Sequence, residues 1–339
     1  MIEMQIIYSN NQITEKLNSL RNYCIIVADP PWSSISQKLQ NKPAQVILPQ
    51  SVDLNYLEKL SKLNIQADIL VGLGGGLAID VAKFISWKKN MPLIRIPSVL
   101  SVDAFLTKEI GARIKNKVIY IGKSEPNEII IDFSLIKSAP TYLNYAGTCD
   151  VLSICTALGD WIISNEYFRV PIDQEIFNKA KSLAKKMINN PQPVKELSEE
   201  GIKFLVECLK DEYLICNEYG SARPEEGGEH HLAYCIEKIS PKRYIHGCLV
   251  GLNILVILKI QESYAVFEVD ELKSYFDEIG NVCQMNKIGI TPAIYKKALK
   301  NIHKYVIKEN LDKGIFWLKN YLTSAKIDEI SWSERFRRF

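Results

Sequence analysis

One stretch constrains this chain more than any other: Ala67-Asp68-Ile69-Leu70-Val71-Gly72-Leu73-Gly74-Gly75-Gly76-Leu77-Ala78-Ile79-Asp80-Val81-Ala82-Lys83. A short apolar strand runs into a glycine turn, and the residues after it have helical spacing, with Ile79 and Ala82 turned inward. Glycine belongs where a backbone must turn tightly or come close to a charged ligand, because a Cβ would block the approach. The helix that follows opens with unpaired N–H groups, which suit an anion such as a pyrophosphate. The spacing departs from the common dinucleotide fingerprint. Gly72 and Gly74 fit its first two glycines, but Leu77 stands where the third belongs. A tight strand-to-helix turn with no ligand remains the plainer alternative.

The surrounding chain favours the ligand. Cys24-Ile25-Ile26-Val27-Ala28 is a continuous apolar run ending at Asp29, as expected of a strand buried on both faces. A helix through Ile35 and Leu39 follows, then a strand at Val46 to Leu48. Apolar residues at 54, 57, 60 and 63 predict another helix. After the glycine segment, Pro92 to Pro97 reads as a further strand, and Val118 to Ile121 and Ile129 to Asp132 as two short ones on the sheet's edge. Such alternation predicts a doubly wound, mostly parallel sheet, in which ligands sit off the carboxyl ends of the strands. Asp29, Gly74 to Gly76 and the segment after Pro97 all fall at such ends. Beyond Ala139-Pro140 helical periodicity takes over. The expected organisation is an α/β domain over 1–145 and an all-α domain over 146–339, with a ligand cleft between them.

Composition narrows the partners. A formal charge of +3 is too small to suggest nucleic acid, and no apolar run looks long enough for a membrane, the nearest being Leu249 to Ile260. Residues 1–11 show no basic start followed by an apolar stretch, so no secretory signal is expected. The 8 cysteines contain no CxxC pair and read as reduced, mostly buried thiols of a cytoplasmic protein.

Of only 4 histidines, His230, His231 and His246 cluster while His303 stands apart. Gly227-Gly228-Glu229-His230-His231 opens one helix and Ile245-His246-Gly247 precedes another. Asp150 sits among Val151, Ile154 and Leu158, so an inward-facing carboxylate there needs a cationic partner. Two imidazoles, one carboxylate and an open position describe a catalytic zinc or iron(II) site. The alternatives are a helix-capping Asp150 and surface histidines.

Five ordered motifs, GGGLAIDVAK (74–83), PSVLSVDAF (97–105), AGTCDVLSICTALGDW (146–161), GGEHHLAY (227–234) and HGCLVG (246–251), resemble the metal-dependent polyol dehydrogenases of the iron-containing alcohol dehydrogenase superfamily. These include the glycerol and sn-glycerol-1-phosphate dehydrogenases, with the dehydroquinate synthases as distant relatives. The resemblance implies a dehydroquinate synthase-like fold and hydride transfer between a glycerol-type hydroxyl and NAD, or NADP, at a Zn²⁺ (alternatively Fe²⁺ or Ni²⁺) centre. It implies Asp150, His230 and His246 as metal ligands, and Gly74, Gly75, Gly76, Leu77 and Asp80 in the cofactor segment. Ser98, Ser101 and Thr107 match further cofactor positions, Asp103 a substrate-orienting aspartate, and Asp29 the ribose carboxylate, which favours NAD over NADP. A small polyol or its phosphate is the implied substrate, and a homo-oligomer the implied assembly.

Departures from the family pattern bear on the substrate. Tyr234 replaces a second histidine usual in the glycerol-phosphate enzymes, while an extra imidazole appears at His231. Arg223 could clamp a phosphate bidentately, or be a helix-end surface arginine. Two rivals remain from the sequence. A sugar-phosphate cyclase would use Lys108, Arg113, Lys115 and Lys117, which otherwise read as a solvated hairpin; a catalytically silent relative would keep only the fold. The C-terminal Trp317, Trp332 and Phe336 beside Arg335, Arg337 and Arg338 read as a terminal helix with a basic end, or an oligomer contact.

Overall fold

A computed structural model describes residues 5–115, 117–280 and 282–318, so Trp332, Arg335, Phe336, Arg337 and Arg338 lie outside the described residues. Its strands are β1 (Ile6–Ser9), β2 (Tyr23–Val27), β3 (Gln45–Ile47), β4 (Ile69–Gly74), β5 (Leu93–Pro97), β6 (Glu109–Ile114), β7 (Lys117–Lys123) and β8 (Glu128–Asp132). Six of them form one all-parallel sheet in the order β1-β8-β5-β4-β2-β3. The described chain divides into two compact units, with the break between Asn144 and Tyr145.

In the first unit, side chains alternate between the two faces of the sheet. Tyr23, Ile25, Val27, Val71, Leu73, Ile94 and Ile96 pack with Ile13, Leu17 and Ile35 from helices α1 (Ile13–Ser19) and α2 (Pro31–Ser36). On the other face, Cys24, Ile26, Leu70 and Leu93 pack with Leu57 of α3 (Leu54–Ser61) and with Val81, Ala82, Phe84 and Ile85 of α4 (Gly76–Lys89). Both faces are therefore covered, which explains the unbroken apolar runs; each such Ile, Leu or Val contributes roughly 1.5–3 kcal/mol by burial.

Two strand expectations are corrected. Val118 to Ile121 does not join the main sheet; β7 pairs antiparallel with β6 as a separate hairpin. Its part-exposed residues give it one face to bury instead of two. Ile129 to Asp132 is no edge strand either: β8 lies between β5 and β1, and Ile129, Ile130 and Ile131 are buried. The edge is taken by β1, whose half-buried Ile-Ile-Tyr-Ser carries too weak a pattern to read beforehand.

The second unit is helical throughout its described residues. Its longer helices are α6 (Thr141–Phe168, which starts in the first unit), α7 (Gln174–Ile188), α9 (Glu199–Tyr219), α10 (Gly228–Ile239), α11 (His246–Gln261) and α14 (Pro292–Glu309); α5 (Phe133–Ser138) closes the first unit, and α8 (Pro191–Glu196), α12 (Val269–Glu278) and α13 (Met285–Ile288) are short. Sequence sets their ends. Asp173, Ser198 and Thr291 cap α7, α9 and α14 by accepting backbone N–H bonds, and Gly220 ends α9 in the left-handed region at φ 88°. Contrary to expectation, Thr141–Phe168 and His246–Tyr264 are long and apolar enough to span a bilayer, but 94% and 78% of their most apolar windows are buried inside the protein. All eight cysteines are free thiols, and all but Cys216 are buried.

Candidate metal centre and cofactor loop

Strand order locates the first unit's site. The chain passes from β2 outward to β3, then returns to the other side of β2 for β4, so the direction of winding reverses between β2 and β4. At such a reversal the carboxyl ends of neighbouring strands leave a crevice. Asp29 follows β2 there, and Gly74 ends β4. Gly74 has φ +153°, and a Cβ on it would lie 2.8 Å from the Ala78 Cβ and 3.0 Å from the Ala28 Cβ. Gly75 caps α4 without a side-chain hydrogen bond, so the helix presents its first N–H groups bare. Leu77 is 39% exposed beside them.

Ser98 is buried, and its N–H donates to the Gly74 carbonyl at 3.0 Å, which lays the segment after β5 along the glycine turn. Ser101 and Asp103, both half-buried, follow in that segment. Two buried cations hold it. Lys83 Nζ donates to the carbonyls of Ala104 (3.0 Å) and Glu109 (2.6 Å) and to Thr107 Oγ1 (3.4 Å), and pairs with Asp80 Oδ1 at 2.7 Å. Arg95, fully buried, donates to the carbonyls of Phe105 (3.2 Å), Thr107 (2.7 Å) and Ser124. Burial pushes the Lys83 pKa down, against the pull of Asp80. Asp80 also accepts the Gly111 N–H at 3.2 Å, so its carboxylate is spent on the hairpin and Lys83. Asp29 Oδ1 accepts from the Ser33 N–H (3.2 Å) and hydroxyl (2.7 Å). The basic residues weighed for a cyclase sit on the hairpin, where Lys108 pairs with Glu125 at 2.6 Å.

The second unit gathers Asp150 from α6, His230 from α10 and His246 from α11, with one ligand atom of each within 4.8 Å of the others. Two glycines permit the approach. A Cβ at Gly227 would lie 2.8 Å from the Ala157 Cα, and one at Gly247 would lie 2.2 Å from the Ala146 carbonyl oxygen. Both α10 and α11 thus begin hard against α6, and each carries its histidine in or beside its first turn. His230 Nε2 lies 3.8 Å from Asp150 Oδ1, and the two imidazole centroids are 5.2 Å apart.

Charge balance prepares the cluster for a cation. Burial disfavours a charged His230, but Asp150 and Glu229 outweigh it and hold its pKa well above the ordinary value. His246 is shifted down by burial and then by His230. Glu229, fully buried, accepts from the Gly227 N–H (2.7 Å), from Thr156 Oγ1 and from His230 Nδ1 (2.9 Å). Burial works to raise its pKa; the His230 contact leads the interactions that bring it down instead. With Nδ1 so engaged, Nε2 is the nitrogen left for a ligand bond. The donor set of two imidazoles and one carboxylate fits a divalent transition metal.

Tyr234 stacks on His246 (centroids 6.0 Å, 19°) and donates its hydroxyl to Glu226 at 2.7 Å. His231 is buried with its pKa pushed down to about 3, and stays outside the cluster. Arg223 is not a surface residue: it is buried, and its guanidinium donates to the Asp160 carbonyl at 2.8 Å. Glu229, Thr156, Lys83 and Arg95 were not singled out from sequence; the available signal was a carboxylate directly before His230 and cations inside apolar runs.

Taken together, an all-parallel sheet with a glycine turn at its winding reversal and a helical unit with an Asp-His-His cluster fit the class of enzymes that use a nucleotide and a metal ion. The family model described as iron-containing alcohol dehydrogenase matches residues 16–140. The glycerol-1-phosphate dehydrogenase [NAD(P)+] of Methanococcus aeolicus is 32% identical over 249 residues, 70% of this chain and 71% of that protein. The enzyme of the same name from Methanobrevibacter smithii is 26% identical over 307 residues, 88% of this chain and 86% of its own. Among solved structures, a probable glycerol dehydrogenase from Sinorhizobium meliloti superposes with TM-score 0.72 at 16% identity, covering 99% of this chain and 96% of that one. The chain belongs to the iron-containing alcohol dehydrogenase family.

Proposed function

We propose that this protein is a metal-dependent, NAD(P)-linked polyol dehydrogenase that interconverts a hydroxyl of glycerol or glycerol phosphate with the corresponding ketone. The observation that carries the reading is the meeting of Asp150, His230 and His246, drawn from three helices, around a space their ligand atoms share. The enzymes named above, which act on glycerol 1-phosphate by name, support the substrate class. On this reading the unit before Tyr145 binds the cofactor and the unit after it binds the metal and the reacting hydroxyl.

Asp150, His230 and His246 would hold the ion, with Zn²⁺ the proposed occupant of this nitrogen-and-oxygen set. When bound, such an ion supplies Lewis acidity, favouring loss of an alcohol proton or polarising a carbonyl. The nicotinamide supplies the hydride acceptor or donor. The remaining work falls to the chain. The bare N–H groups at Gly75, Gly76 and Leu77 receive the pyrophosphate, and Ser98, Ser101 and Thr107 line the same segment. Asp29 accepts from a free ribose 2′-hydroxyl and repels a phosphate there, favouring NAD. Asp103 orients the neighbouring hydroxyl of the substrate, an effect of placement. Tyr234, anchored by Glu226, walls the metal centre beside His246.

The test is a panel of glycerol, other small polyols and their phosphates with NAD and NADP, before and after chelation and Zn²⁺ return. Net NADH formation that chelator abolishes and Zn²⁺ restores is expected. Turnover of a sugar phosphate without net NADH would replace this reading with that of a cyclase.

A further inference from the structure

The ligands of the centre come from helices that are far apart in sequence, so something must fix their separation before an ion arrives. We propose that Glu229 is the positioning residue of the centre, a single buried junction that ties the three ligand-bearing helices together and selects the nitrogen that His230 presents. The inference rests on the metal reading above.

Four contacts make the junction. Glu229 Oε2 receives the hydroxyl of Thr156, on the helix that carries Asp150. Oε1 receives the Gly227 N–H at 2.7 Å, at the start of the helix that carries His230, and faces His230 Nδ1 at 2.9 Å. The Glu229 backbone carbonyl accepts from Asn253 Nδ2 at 2.8 Å, on the helix that carries His246. Asn253 is fixed in turn by the Tyr295 hydroxyl at 2.9 Å. Glu229, Thr156 and Asn253 are each fully buried, so water cannot substitute for any of these bonds.

The chemistry follows from the contact at Nδ1. An imidazole that donates Nδ1–H to a carboxylate keeps its lone pair on Nε2, the nitrogen nearer Asp150, and becomes a stronger donor to a metal. A helix-capping role alone would not need this. An acceptor for Gly227 could be neutral, and it would have no bearing on the electronic character of a bound ion.

The experiment uses the full chain and two ions, Zn²⁺ for affinity and Co²⁺ as a visible probe. Affinity is measured by competition with a chromophoric chelator in wild type, Glu229→Gln, Thr156→Val and Asp150→Asn. Glu229→Gln keeps the size of the side chain and an oxygen for Gly227 and His230 while removing the charge. Its Zn²⁺ affinity should fall about 10- to 100-fold, and the Co²⁺ absorption band should shift, while the melting temperature of the metal-free protein changes little. Thr156→Val should weaken binding in the same direction by a smaller factor. Should Glu229→Gln fail to fold, Thr156→Val reads the junction independently. Wild-type affinity and an unmoved Co²⁺ band in both would overturn the role of Glu229 while leaving the metal reading intact. A wild type that takes up no ion, or an Asp150→Asn that binds as wild type does, would remove the metal reading itself.

Discussion

The two units build their sites by opposite means. Before Tyr145 the candidate site is built largely on backbone: a glycine turn, bare helix N–H groups, and a loop whose carbonyls are pinned by the buried cations Lys83 and Arg95. After it the candidate site is made of side chains, and the buried charge that supports it is a carboxylate, Glu229. Donors inside the first unit shape a loop proposed to meet an anionic cofactor, whereas acceptors inside the second shape a cluster suited to a cation. The contrast teaches that a buried charge is placed according to which backbone or ring it must hold: cations where carbonyls are gathered, a carboxylate where an N–H and an imidazole are.

Removing one element from each site tests that division most severely. His246→Ala deletes a proposed ligand and should lower the rate by about 10³-fold or more, since the Lewis acid contributes several kcal/mol, while the affinity for NADH followed by its fluorescence stays within about twofold. Gly74→Val should do the reverse. Its Cβ would press on Ala78 and Ala28 at a φ of +153°, a strain of roughly 1–3 kcal/mol before the overpacking is counted. Nucleotide binding should be lost and Zn²⁺ uptake kept. If either variant damaged both functions, the division of labour would be wrong.

Legibility in the sequence follows the same line. The glycine turn, β2, β4, β5 and the helix after the turn were readable because their determinants are neighbours in sequence: apolar runs, glycines and a period of 3.6. The candidate ligand histidines stood out because three of the four histidines cluster, and two glycines near them, Gly227 and Gly247, prove to be where α10 and α11 touch α6. What could not be read is pairing over distance. Nothing local tells that Arg223 is buried against Asp160, that Thr156 meets Glu229, or that β8 lies inside the sheet with β1 on its edge. Lys83 is the sharpest case, since a lysine in an amphipathic helix ordinarily faces water.

That lysine gives the next prediction. Lys83→Met keeps the length of the side chain but strands the Ala104 and Glu109 carbonyls and leaves Asp80 without its cation. A loss of about 2–4 kcal/mol is expected from the buried unpaired groups, read as a lower urea midpoint, together with weaker NADH binding as the loop loosens. Lys179 offers the control. It pairs with Glu175 and Glu218 at 2.8 and 2.7 Å, but in open solvent, so Lys179→Met should leave the midpoint little changed. Equal effects would mean that burial of the cation is not what matters in the first unit.

The corresponding test in the second unit is a smaller effect and turns on pH. Asp160 is fully buried; its Oδ1 accepts from Gln261 Nε2 (2.9 Å) and the Ile315 N–H (3.2 Å), and burial lifts its pKa from 3.8 to about 6 against the pull of Arg223. Between those two values the folded chain keeps a proton that the unfolded chain has released, so folding becomes less favourable as pH rises. The contribution is fully present below about pH 4 and is lost as pH passes through 6, with an upper bound of about 3 kcal/mol for a shift of this size. Asp160→Asn carries no such proton. The difference in stability between wild type and Asp160→Asn, from urea titrations at pH 5 and pH 8, should therefore move in favour of the variant at the higher pH. A difference that is flat with pH would show that Arg223 neutralises Asp160 fully, making this buried pair a counterpart of Lys83 and Asp80.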